Sequence, residues 1–198
     1  MQYRSYPAHD HMSLHRRYQR ALDTHPDLAD HYFCAQGYVW GWQDAQGPDH
    51  RDTHTSIGFA CAYATHVNEF RTGTRQSITP VTACWQHWLT HGTLTGANAT
   101  ATPAGPPPLE PPRHRHPEAV AAYHRAHGYA RGWHDATGEH GRPTPAEAAA
   151  FAAAYATVVA EFHAEHRHSY SPLDTSWQSW LNHHDLTAHE RATPPPTT

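Results

Sequence analysis

The chain has no lysine; all fourteen of its basic residues are arginine, and isoleucine occurs only at Ile57 and Ile78. Avoidance of A/T-rich codons accounts most simply for both gaps, pointing to a high-GC bacterium or one of its phages or plasmids. Long apolar runs are missing too: nothing approaches the roughly 20 apolar residues that cross a bilayer. The opening Met1-Gln2-Tyr3-Arg4-Ser5 is polar and lacks the apolar centre of a signal peptide. The expectation is a soluble, cytoplasmic protein with no membrane partner. A net charge of −4 comes with no clustered basic surface, which argues against nucleic acid as a partner at neutral pH. Also absent are a Gly-rich phosphate loop, a Gly-x-Ser-x-Gly elbow, a CxxC pair and an HExxH helix. The sequence therefore points away from an enzyme and implies no cofactor.

What is present in excess is histidine, 22 residues in 198. Protonating all of them takes the formal charge from −4 to +18, since −4 + 22 = +18. The charge is thus steeply pH-sensitive below about pH 6.5. His87-x-x-x-His91 has the i, i+4 spacing that sets two imidazoles on one helix face, as a metal site requires. Its counterpart to His87 in the second half is Ser179, and no neighbouring Cys or carboxylate completes a ligand set.

The organising feature is an internal repeat. Gly37-Tyr38-Val39-Trp40-Gly41-Trp42-Gln43-Asp44-Ala45-Gln46-Gly47 returns as Gly128-Tyr129-Ala130-Arg131-Gly132-Trp133-His134-Asp135-Ala136-Thr137-Gly138. The match resumes at Phe59-Ala60-Cys61-Ala62-Tyr63 against Phe151-Ala152-Ala153-Ala154-Tyr155 and closes on Trp85-Gln86-His87-Trp88 against Trp177-Gln178-Ser179-Trp180. Cys34, Cys61 and Cys84 face Arg125, Ala153 and Ser176 in this alignment. A disulfide framework would not survive in one copy only, so the thiols are expected free.

Each copy reads as three helices. Pro26 and Pro117 open the first at the N1 position, with Asp27 and Glu118 beside them. Thr144-Pro145-Ala146-Glu147 is a capping box for the second helix, whose stripe is Phe151, Tyr155, Val159 and Phe162, or Phe59, Tyr63, Val67 and Phe70. The third starts at Thr79-Pro80 or Ser171-Pro172 and carries Trp85, Trp88 and Leu89, or Trp177, Trp180 and Leu181.

The expected fold is all-α, a tandem duplication of a three-helix unit, with six core helices in pseudo-two-fold arrangement. Residues 1–24 form an N-terminal arm with a short helix over Ser13–Leu22, and 25–92 the first repeat. A Pro-rich linker over 93–115, a second repeat over 116–184 and a disordered tail over 185–198 complete the chain.

Gly37, Gly41, Gly128 and Gly132 stand in helix interiors, where each costs roughly 1 kcal/mol against Ala. On a helical wheel they lie apart from the Tyr32/Trp42 stripe, so the first helix has two packed faces. The glycines seat a helix of their own unit, let the two first helices cross at a pseudo-dyad, or admit a ligand close to the backbone. Phe33 and Trp40 are replaced by His124 and Arg131 in the second copy, which suggests a contact surface for the N-terminal helix or for a partner. Asp44/Asp135 and Glu69/Glu161 are the acids common to both copies. They read as structural, Glu69 paired with Arg75 and Asp44 bonded at a helix terminus or to an indole N–H.

The functional expectation is a non-catalytic helical binding or adaptor protein with a protein partner, an accessory factor of a high-GC bacterium, phage or plasmid. The alternatives are a His-rich metal-binding protein and a small-ligand binder using a cleft between the two repeats.

Overall fold

A computed structural model describes residues 26–97, 116–138 and 144–186, together with Arg16. The Ser13–Leu22 helix, most of the Pro-rich linker and the tail beyond 186 lie outside the described residues. Among those described there are six α-helices, one 3-10 turn and no strand. In chain order they are α1 (Pro26–Asp44), α2 (Thr53–Arg71), α3 (Val81–His91), α4 (Pro117–Thr137), α5 (Pro145–His163) and α6 (Leu173–His183).

Local chemistry sets the element ends. The Asp52 side chain caps α2 by accepting from the His54 amide at 2.9 Å. At α5 the Thr144 hydroxyl accepts from the Glu147 amide while the Glu147 carboxylate accepts from the Thr144 amide, a complete capping box. The N-caps of α3 and α6 are Pro80 and Pro172, one residue after the Thr79 and Ser171 starts read from the sequence. Gly92 closes α3 in the left-handed region, where a Cβ would be strained.

Each unit buries its own aromatic core. Trp85 lies edge-on to Phe59 with centroids 5.0 Å apart, and Trp177 meets Phe151 at 4.8 Å. Both tryptophans are fully buried. Edge-to-face pairs of this kind add about 0.5–1.5 kcal/mol beyond the area they bury. Because indoles fill the gap, α3 and α6 make few close backbone approaches to the helices beneath them. Packing continues past Gly92: Leu94 and Ala97 are buried in the first core, and Leu186 packs against the second. Phe70, read from its period as a core residue, is instead 41% exposed. It lies at the last turn of α2.

The most extensive helix–helix contact joins α1 to α4. It is the seam between the units, and α1 is buried on both of its sides.

Candidate functional site

The seam is built by the repeated phrase. A Cβ placed on Gly37 would overlap the carbonyl oxygen of Arg125, with the Arg125 Cα 3.0 Å away. One on Gly41 would overlap the Tyr129 carbonyl and stand 2.9 Å from the Trp133 nitrogen. The relation is reciprocal: Gly128 faces the Cys34 carbonyl and Gly132 the Tyr38 carbonyl, with the Trp42 nitrogen 3.0 Å from a Cβ on Gly132. These helices meet backbone to backbone, so glycine hydrogens point at carbonyls where side chains would collide. The cost in helix propensity is offset by that approach.

Two hydrogen bonds repeat the symmetry. Tyr38 OH donates to Asp135 Oδ2 at 2.7 Å, and Tyr129 OH donates to Asp44 Oδ2 at 2.7 Å. Burial pushes both phenols well above the ordinary tyrosine range, and the facing carboxylates push them further. They act as neutral donors to charged acceptors, the stronger kind of hydrogen bond. Asp44 also receives Arg51 at 2.8 Å, and Arg51 reaches Asp174 of α6 at 3.7 Å. Asp44 is therefore held by a phenol and a guanidinium from loop and partner unit, and not by an indole. Glu69 pairs with Arg75 and Glu161 with Arg167, each at 3.2 Å.

The two flanks of the seam differ. On one, the Arg125 guanidinium lies over the Phe33 ring at 4.7 Å and the Trp40 ring at 5.6 Å, and its Nε donates to Gln36 Oε1 at 3.1 Å. Trp40 also packs on the second unit's core and donates from Nε1 to Ser56 Oγ at 2.9 Å. The sequence left open whether the N-terminal helix or a partner covers Phe33 and Trp40; in the structure the cover includes the second unit of the same chain. Arg125 is the residue that sequence reading passed over, although it sits three positions before Gly128 and so on the same helix face.

On the other flank Cys34 replaces the arginine, near Arg131 and Asp30, and His124 Nε2 lies 3.2 Å from Asp30 Oδ1. Burial raises the Cys34 thiol, with Arg131 opposing in part, which favours its protonated form. Burial, then Arg131 and His124, push His127 down to about 4. Burial also lowers His124, against Asp30. The three thiols are free.

His87 and His91 have ring centroids 4.3 Å apart, tilted by 42°. No third His, Cys, Asp or Glu joins them in a metal-binding group among the described residues. None of the described helices is long and apolar enough to cross a membrane.

Apolar exposure recurs at matched positions. Phe70 (41%) and Ile78 (36%) stand exposed in the first unit; their alignment partners are the half-buried Phe162 and Tyr170 (37% exposed). The Phe162 and Tyr170 rings meet edge-on at 5.0 Å. No protein-family model matches the chain, and comparison with curated proteins and with solved structures finds no match.

Proposed function

We propose that the protein is a non-catalytic helical binding protein that offers a protein partner two corresponding apolar surfaces, one at the end of each second helix. The observation that supports this is the pairing of Phe70 and Ile78 with Phe162 and Tyr170. Single exposed apolar residues are ordinary on any surface. Large apolar residues kept at the same two places in both units, exposed at Phe70, Ile78 and Tyr170 and half-buried at Phe162, while Tyr38, Phe59, Trp85 and their counterparts are buried, favour a contact surface. The glycines, Tyr38, Tyr129 and the two repeated aspartates are engaged in joining the units and so are not offered to a ligand.

The test is affinity capture from the native host with wild type and with the double variant Phe70→Glu/Phe162→Glu, after checking that both melt alike. Nickel resin is unsuitable, because a chain so rich in histidine binds it adventitiously. A protein retained by wild type and lost from the variant supports the reading. Identical captures, or none, would remove it.

A further inference from the structure

The α2–α3 connection of the first unit is fastened by a histidine that the second unit lacks. His66 is 2% exposed and stands where the other copy has Val158. Its Nε2 accepts a hydrogen bond from the Thr79 amide at 3.0 Å. Accepting there assigns the neutral ring's proton to Nδ1, which is buried and finds no partner among the described residues. Thr79 is a hub, itself only 3% exposed. Its hydroxyl donates to the Ala97 carbonyl at 3.4 Å, and its own carbonyl accepts a weak bond from Cys84 Sγ at 3.6 Å. Arg75 Nη1 donates to the same Ala97 carbonyl at 3.1 Å while pairing with Glu69. One imidazole nitrogen therefore anchors a network that spans α2, the 72–80 connection, α3 and the segment ending at Ala97.

We propose that His66 is a pH-sensitive latch: a proton added at Nε2 breaks its bond to the Thr79 amide and frees the 72–80 connection, with the 94–97 segment tied to it, in the first unit alone. A protonated ring would set N–H against N–H, donor facing donor, at a place closed to water. The groups around it set where this happens. From the connection, Arg75 opposes the added charge; on the same helix, Glu69 favours it. On the α3 side stands the neutral Cys84 thiol. Toward α1, the Tyr63 ring stacks on His66 at 6.2 Å and meets His31 at 6.4 Å, standing between the two imidazoles. Burial outweighs the carboxylate and holds His66 below the usual histidine range, so the latch is closed at neutral pH and opens under acid. Val158 and Ser171 hold no titratable group at the matching positions. The connection carries the exposed Ile78, so opening displaces one member of the apolar set on this unit only.

The test uses the full chain, with amide hydrogen exchange and imidazole titration by NMR between pH 7.5 and 5. As pH falls from the ordinary histidine value of about 6.5 toward the lowered pKa of His66, the protection of the Thr79 amide is expected to fall about tenfold per pH unit, because the opened ring takes up a proton that the latched ring refuses, and to level off below that pKa. The Tyr155 amide in α5 keeps its protection over the same range. His66→Gln supplies an uncharged acceptor oxygen near the place of Nε2, and in it Thr79 protection should be independent of pH. Protection that is pH-independent in wild type, or falls equally in His66→Gln, overturns the latch. Should that variant not fold, the wild-type ring decides: a His66 pKa more than about one unit from the pH at which Thr79 protection levels off overturns it as well.

Discussion

At the scale of single residues, the four helix glycines act through the side chain they lack. In an exposed helix, Gly→Ala stabilises by up to about 1 kcal/mol. At Gly41 and Gly132 the new methyl would collide with the carbonyls of Tyr129 and Tyr38, which are main-chain atoms and cannot rotate away. The helices must separate, and over-packing of this kind costs roughly 1–3 kcal/mol. We expect Gly41→Ala and Gly132→Ala each to lower stability in urea unfolding. Both lie at one crossing, so the double variant should depart from additivity by at least about 0.5 kcal/mol. Stabilisation by both changes would mean that α1 and α4 do not meet here.

At the scale of elements, the helices are specified locally and placed by packing. The α5 capping box is purely local: Thr144 satisfies an otherwise orphaned amide of the first turn, and Glu147 returns the bond. Thr144→Ala should cost about 1 kcal/mol, and Thr144→Asp, an equally good cap, should restore most of it. Equal melting temperatures for wild type and Thr144→Ala would show that the cap contributes nothing. The second helices show where a local rule fails. Phe70 continues the apolar period of α2 yet stands exposed, because periodicity marks a face without marking what covers it.

At the scale of the molecule, the two units complete one another. A helical unit of this size buries only about 60% of its unfolded surface and is marginal alone. Separation would expose the backbone crossing and leave Asp44 and Asp135 without their tyrosines. Fragments 1–97 and 110–198 are therefore expected to melt below the parent or without cooperativity. Cooperative melting of each at the parent's temperature would show two independent domains. Acid acts on the same whole. His66, His124 and His127 all have folded-state pKa values below the unfolded 6.5, His127 at about 4. Above pH 6.5 neither state is protonated and the full stability is present. As pH falls from 6.5 toward 4 the unfolded chain takes up protons that the folded one refuses, and stability drops by up to about 1.4 kcal/mol per pH unit for each histidine. A urea midpoint that stays level or rises between pH 7 and pH 4.5 would contradict this.

The sequence by itself determined the six described helices, their order, the capping at Thr144 and Glu147, and the aromatic stripes short of Phe70, because these depend on neighbours three or four residues away. It also marked Gly37, Gly41 and their counterparts as lying apart from the core stripe of the first helix. What covers that face was not readable, since a glycine leaves the same gap whether its own unit or the other fills it. Tertiary structure alone decided that Tyr38 reaches Asp135 across 97 positions and Tyr129 reaches Asp44 across 85. It likewise decided that Arg125 covers Phe33 and Trp40, and that His66 is buried against Thr79. The physical reason is common to all three. A polar side chain states what bonds it can form, while its partner is set by which helices the burial of apolar surface brings together, and that is a property of the whole chain.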